Sequence, residues 1–337
     1  MSPRKPSVTA QDVARLAGVS RAVVSRALSS NGSISPDARA RVLRAAEELG
    51  YQVNFLAQGL NRQRSHLIGV IVSRISDPFR SALLDALLNE IQRQGFQALV
   101  SEIHSEQDLA HTLRRFTQFR VSGVIVTSGQ PPEALVNECV QQHIPVVGIN
   151  RQPTIPGVDY VCSDNVAGAE LAADQLLRSG CRRFGWLNHS PSTWAGRMRG
   201  EAFSQALQAR GVDVERNLAI LACPEEGYTG GFQAAALADE ALEGIFCANA
   251  QIACGFLDGM RQRGKQAPED YQLIGFDNTP PTAQYSYQLT TLHQDVAAIS
   301  RQTLARLQER TVDPLQPSRT TWVEVTLIHR RTSPFII

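Results

Sequence analysis

Val8–Ser30 reads VTAQDVARLAGVSRAVVSRALSS, two short helix-forming runs separated by a turn at Gly18. Thr9 can cap a first helix, with Asp12 three residues on in capping-box position. Val13, Leu16 and Ala17 then recur at helical spacing and are expected to face a small core. Gly18 follows, where a tight turn needs a residue free of Cβ strain. Ser20 can cap a second helix with Val23, Val24 and Leu28 inward, which leaves Arg21, Ala22, Ser25 and Arg26 outward. Arginines on the outward, N-terminal side of a short helix suit the major groove, where guanidinium meets guanine O6 and N7 bidentately. From those two arginines alone, a plain solvated helix face is an equal alternative.

The sequence that follows favours DNA. Ser35-Pro36-Asp37 sets an N-cap before a proline at the first helical position. The third helix is expected through Val42, Leu43, Ala46 and Leu49, ending at Gly50 before Tyr51. Residues 1–64 hold ten Lys and Arg against four acids, a net of +6 in a chain whose total is +1, so the remainder carries −5. A basic head on an acidic body is the asymmetry of a nucleic-acid-binding end.

The runs DVARLAGVSRAVVSRAL, SPDARARVLRAAEELGYQVN and LAQGL resemble the N-terminal signature of LacI/GalR-type bacterial transcription repressors. The resemblance extends over essentially the whole chain. It implies that Arg21, Ala22 and Arg26 hold base-reading positions, and that Asn54 to Asn61 form a hinge that turns helical when two copies meet in the minor groove. Leu60 matches the hinge leucine that wedges between base pairs, at a cost of a few kcal/mol per unstacked step. Gly59 departs from the usual pattern, because glycine inside a helix costs about 1 kcal/mol relative to alanine. The expected DNA-facing set is Thr9, Ser20, Arg21, Ala22, Ser25, Arg26, Asn31, Tyr51, Asn54, Ala57 and Leu60. The division implied is a DNA-binding domain at 1–53, a hinge and linker at 54–65, and an effector-binding and dimerisation core at 66–337.

That core alternates apolar runs with amphipathic stretches. Strands are expected at Leu67–Ser73, Gln97–Ser101, Gly123–Thr127, Pro145–Ile149, Arg183–Asn188, Leu218–Leu221, Gly244–Cys247 and Gln272–Phe276. Helices are expected near Phe79–Gln94, Gln107–Phe119, Pro132–Gln142, Asn165–Arg178, Arg199–Arg210, Gly230–Asp239 and Ile252–Arg263. The pattern closes with a helix at Asp295–Gln308 and one strand at Thr321–Leu327. Such alternation means α/β parallel sheets covered on both faces, and the length calls for two subdomains. The resemblance implies a bilobed, periplasmic-binding-protein-like core with three crossovers. One lobe would hold about 66–163 plus 293–322, the other about 164–292 plus 323–337.

Ligands of open parallel sheets sit beyond the carboxyl ends of the strands, which places a cleft between the lobes. The candidate strand-end residues are Asp77, Phe79, Asn150, Arg151, His189 to Arg199, Asn249 and Asp277. By resemblance Arg199 is the effector-binding arginine, unless it serves an interlobe salt bridge, and Asp277 is the carboxylate that accepts from ligand hydroxyls. Asn249 precedes Ala250 where the family usually carries aspartate, and Asn150 also stands where aspartate is common, so the cleft is less acidic than a typical sugar site. No aromatic occupies the usual stacking position near Glu226. Either Tyr228 reaches in from a shifted loop or Trp194 substitutes, or the ligand has no flat apolar face. A sugar or sugar derivative is the expected effector, with an anion as a minor alternative because Arg forks match oxyanions.

Six cysteines without CxxC spacing read as reduced core residues, and seven histidines form no ligand set. No metal or cofactor is expected. No apolar run approaches the roughly 20 residues of a membrane span, and MSPRKPSVT is not a signal peptide. A cytoplasmic, nucleoid-associated protein follows. A periplasmic solute-binding protein would need export and no basic head. An α/β enzyme would need a phosphate-binding or nucleophile motif, and no GxGxxG, P-loop or GxSxG occurs. The expectation is a non-enzymatic, ligand-controlled repressor, homodimeric on a pseudo-palindromic operator. The pocket residues fit an inducer and a corepressor equally.

Overall fold

The computed structural model describes residues 8–28, 33–51, 65–127, 133–190 and 192–334. The chain divides into two units, one up to Ser65 and one from His66 onward. In the first, α1 (Ala10–Ala17), α2 (Arg21–Ala27) and α3 (Pro36–Leu49) form a three-helix unit. Thr9 and Asp12 close a reciprocal capping box, and Ser20 and Ser35 accept from the backbone N–H three residues on. Gly18 and Gly50, both at φ 64°, end α1 and α3 in the left-handed region that favours glycine.

Val13, Ala14, Ala17, Val24, Ala27, Val42, Ala45 and Ala46 are its core, with Val23, Leu28, Leu49 and Tyr51 packed at the edge. Leu16 and Leu43 depart from expectation, at 47% and 49% exposed. The inward stripe runs instead through Ala14 and Ala45, whose small side chains let three short helices approach closely. Leu16 and Leu43 therefore fall off the buried arc. Asn31, Asn54, Ala57, Gly59 and Leu60 lie outside the described residues.

The second unit holds two sheets. Its elements run β1 (Leu67–Val72), α4 (Pro78–Arg93), β2 (Gln97–Glu102), α5 (Glu106–Gln118), β3 (Gly123–Val126), α6 (Glu133–Gln141), β4 (Val146–Ile149) and β5 (Asp159–Ser163). Then come α7 (Asn165–Arg178), β6 (Phe184–His189), α8 (Trp194–Ala209), α9 (Val214–Asn217), β7 (Leu218–Cys223), α10 (Gly227–Ala235), β8 (Gly244–Cys247), α11 (Ala250–Gln262) and β9 (Gln272–Asp277). The last are α12 (Pro280–Ala283), β10 (Thr290–Gln294), α13 (Val296–Val312), β11 (Thr320–Val323) and β12 (Val325–Ile328).

Among the described residues the strand orders are β11-β5-β4-β3-β1-β2 and β12-β10-β9-β8-β6-β7. Every pairing is parallel except β10 with β12. The chain thus passes from the first lobe to the second after β5, returns after β10 so that α13 packs on α4, β4 and β5, and crosses again between β11 and β12. The single strand expected at Thr321–Leu327 is therefore two, split at Glu324, each completing a different sheet. Buried Arg310 of α13 ties the returning helix to β5, donating from Nε and Nη2 to Asp159 at 3.0 and 2.7 Å.

The first sheet is covered on both faces, by a cluster around Leu109, Leu113 and Phe116 and another around Leu87, Ile91 and Ile299. The second lobe has one continuous core through Phe184, Phe203, Phe246, Phe256 and Phe276. All six cysteines are free and buried, and no described helix is long and apolar enough to cross a membrane.

Candidate functional site

In the head, Arg21, Ala22, Ser25 and Arg26 share the exposed face of α2. Arg26 Nε donates to the carbonyl oxygen of Ala22 at 3.3 Å, one turn back. Thr9 and Ser20 are exposed caps, and Tyr51 is half-buried behind α3. The two serine and threonine caps leave α1 and α2 well started, so the arginines stand on a helix whose geometry its own sequence fixes.

The core carries a cleft of about 390 Å³, within the size range of small-molecule sites. Its walls are strand ends and the loops after them: Arg74 and Asp77 after β1, Thr127 after β3, Asn150 and Arg151 after β4, Asn188 and His189 of β6, Asn249 after β8, Asp277 of β9 and Gln294 of β10. Helix N-termini open on it as well. Asp77 caps α4, Thr193 caps α8 and Asn249 caps α11, accepting from backbone N–H groups at 3.0, 3.1 and 2.9 Å.

Six of the expected effector residues, Asp77, Phe79, Asn150, Arg199, Asn249 and Asp277, meet in this cleft. Trp194 and Tyr228, expected there, do not: neither is among the described residues lining it. Tyr228 is drawn away because its hydroxyl donates to Asp258 Oδ2 at 2.8 Å while its ring stacks on Phe232. Trp194 packs against Trp322 of β11, with ring centroids 6.5 Å apart.

Arg199 is buried, and its Nε, its Nη1 and one face of its guanidinium are held. Its Nε donates to Asn165 Oδ1 at 2.7 Å, its Nη1 donates to the Ala248 carbonyl oxygen at 2.6 Å, and the guanidinium carbon lies 3.5 Å over the Phe276 ring. Burial pushes it down to about 10. Its Nη1 is 3.8 Å from Asp277 Oδ1, an ion pair within the second lobe and not the interlobe salt bridge that was the alternative. Burial raises the Asp277 carboxyl to about 6 despite the Arg199 charge beside it.

Gln294 was not foreseen, and it joins the lobes. Its Oε1 accepts from Ser163 Oγ at 2.5 Å and from Asn150 Nδ2 at 3.3 Å, while its Nε2 donates to Asp277 Oδ1 at 2.6 Å. This explains asparagine at 150. A carboxylate there can only accept, and would face an oxygen already turned to the first lobe. Asn150 and Asp277 both take positive φ, 51° and 90°, conformations whose cost is commonly borne at binding sites. Arg74, Arg80 and Glu226 were also missed as lining residues. Arg74 forms an ion pair with Glu226 across the cleft. The strand-end rule could have found Arg74, which follows β1 closely.

Residues 9–54 match the family described as bacterial regulatory proteins, lacI family, and residues 173–333 match the periplasmic binding protein-like domain. The HTH-type transcriptional regulator GalS of Salmonella typhimurium is 33% identical over 298 residues, 87% of each chain. Catabolite control protein A of Priestia megaterium is 30% identical over 321 residues, covering 91% of this chain and 95% of its own. Among solved structures, the lac repressor dimer bound to operator and the anti-inducer ONPF aligns with a TM-score of 0.84 at 23% identity, over 98% of this chain and 100% of that one. A LacI family transcriptional regulator from Enterococcus faecium with bound ribose aligns with a TM-score of 0.72 at 26% identity, over 80% of this chain and 100% of its own.

Proposed function

The chain belongs to the LacI family of bacterial transcriptional regulators, and from that premise we propose that it is a homodimeric repressor whose affinity for a pseudo-palindromic operator is set by a small hydroxylated effector in the interlobe cleft. One observation carries the reading: the same chain presents two arginines on the exposed face of a capped α2 and encloses a polar cleft of about 390 Å³ at its strand ends. In this reading Arg21, Ala22 and Arg26 face base edges in the major groove, and Thr9, Ser20, Ser25, Asn31 and Tyr51 position the head on the duplex. A dimer follows because one seven-residue recognition helix reaches too few bases alone. Asn54, Ala57 and Leu60 act from the hinge, in the minor groove.

In the cleft, Asp277 accepts from ligand hydroxyls and Asn249 both donates and accepts. Arg199 donates from a fixed fork, and Asp77, Phe79 and Asn150 close the opposite wall. The ribose bound by the Enterococcus faecium relative supports a sugar or sugar derivative. Effector binding changes the angle between the lobes and, through the hinge, the pairing of the two heads.

Selection of the DNA site from a random pool, with and without candidate metabolites, tests this reading. Expected is a two-fold-symmetric site whose retention changes with one ligand class: an inducer loosens it and a corepressor tightens it. Arg26→Ala should relax base choice at one position of each half-site by about 1–3 kcal/mol. A salt slope that changes while the selected sequence stays the same would move Arg26 to a phosphate. A site indifferent to every cleft ligand would end the reading.

A further inference from the structure

The second-lobe half of the cleft suits hydroxyl groups, through Asp277, Asn249 and Arg199. The first-lobe half has a different chemistry. Arg74, Arg80 and Arg151 line it beside a single carboxylate, Asp77, and that carboxylate already accepts the Arg80 backbone N–H as the cap of α4. Arg74 is engaged with Glu226 of the opposite lobe. The Arg80 guanidinium donates, among its contacts, to the Ser73 carbonyl oxygen at 3.0 Å and the Ser73 hydroxyl at 2.5 Å. The Arg151 Nη2 donates to the Thr127 carbonyl oxygen, and its Nε is buried without a hydrogen-bond partner.

These cations repel one another in a desolvated wall. Burial and then the charges of Arg80 and Arg74 push Arg151 down to about 10, and burial and Arg74 lower Arg80 against the opposing charges of Asp77 and Asp277. The N-terminus of α4, a sixteen-residue helix, opens into the same wall and adds the positive pole of its dipole. Like charges held together out of water are stabilised by an oxyanion, which each guanidinium fork meets with charge-assisted hydrogen bonds. A neutral polyol leaves that repulsion in place.

Resting on the reading of the cleft as the effector site, we propose that the ligand is an oxyanion, a small hydroxylated carboxylate or phosphate ester. Its anionic group is held by Arg151 and Arg80, and its hydroxyl-bearing end faces Asp277, Asn249 and Arg199. The two sources share the recognition chemistry and differ in charge and in oxygen number.

Calorimetry on the full-length protein tests this with three matched sets: sugar acids, sugar phosphates and their neutral parent sugars, with inorganic phosphate as competitor. At least one acid or phosphate ester should bind about tenfold or more tightly than its parent, and whichever set does so names the source. Inorganic phosphate should compete with it. Arg151→Gln should remove most of that advantage by weakening the anion far more than the parent sugar, while Arg151→Lys retains part of it. Should Arg151→Gln fail to fold, Arg80→Gln makes the same prediction.

Parent sugars that bind as well as their acids, or acids indifferent to both substitutions, would overturn the oxyanion, as would a failure of every anion to bind. The effector reading is separated by Asn249→Ser, which keeps a cap on α11. Neutral sugars weakened by Asn249→Ser leave the cleft as the effector site without the anion. Binding indifferent to Asn249→Ser and Arg151→Gln alike removes both.

Discussion

Asp277 ends β9 at φ 90°, and its carboxyl is buried against Arg199, Gln294 and the backbone N–H of Ala250, with Asp77 contributing the like charge across the cleft. Burial outweighs the Arg199 charge, so the folded carboxyl sits at about 6 against 3.8 for the free group. Between those values the folded chain holds a proton that the unfolded chain has released. Its contribution is therefore fully present below about pH 4 and is lost as the pH rises through about 6. Asp277→Asn removes the titration while keeping the shape. Unfolding midpoints of the two proteins should diverge between about pH 4 and pH 6 in favour of the asparagine, and the gap should then stay constant at higher pH. A difference that stays flat with pH would show that Asp277 is ionised throughout and that Arg199 is its full counter-ion. The same balance bears on the ligand: an anion seated nearby raises this carboxyl further, so its binding near neutrality takes up a proton.

The second lobe owes its cleft wall to two helices that touch backbone to backbone. A Cβ on Gly231 of α10 would fall 2.1 Å from the Ile252 carbonyl oxygen, and one on Gly255 of α11 would fall 1.9 Å from that of Tyr228. Gly255→Ala must push α10 and α11 apart, an overpacking that costs about 1–3 kcal/mol. Denaturant unfolding should show the lower midpoint, and ligand affinity should fall with it, because Asn249 and Glu226 start these two helices at the cleft. An unchanged midpoint would mean that the helices separate freely. At this scale the sequence was readable where pattern and burial agree. The apolar runs at β1, β3 and β8 and the capped helix starts stand out from hydrophobicity and turn chemistry alone. β10 was not readable, because TTLHQ looks polar: Thr290 and Thr291 are buried, Thr290 bonded to the C-terminal strand region, and Gln294 is part of the cleft. The change of sheet at Glu324 carries no local signal, since alternation runs unbroken through TTWVEVTLI. In the site, Arg199, Asn249 and Asp277 were legible from strand ends and from resemblance. Arg80 was not, because first-turn position does not reveal which way a long side chain turns. Tyr228 was misplaced because its partner Asp258 lies 30 residues away.

For the core as a whole, the question is how a ligand held in one lobe is felt by the other. Three chain crossings join the lobes covalently, and Gln294, at the second crossing, joins them through its amide. Asn150 and Ser163 belong to the first lobe and Asp277 to the second, so one side chain reads both walls of the cleft. A ligand that engages Asp277 competes for the hydrogen bond from Gln294 Nε2 and so disturbs the first-lobe contacts of Gln294 Oε1. Coupling of this kind is reciprocal: whatever factor the ligand imposes on operator affinity, the operator imposes on ligand affinity. Such factors are typically about 5- to 150-fold. Gln294→Ala should lower the factor toward one. The measurement is the ratio of operator dissociation constants with saturating and with no ligand, which stays valid even where the substitution weakens the ligand itself. A ratio equal to that of the unaltered protein would exclude Gln294 as the relay and leave transmission to the three chain crossings and to the Arg74–Glu226 ion pair across the cleft.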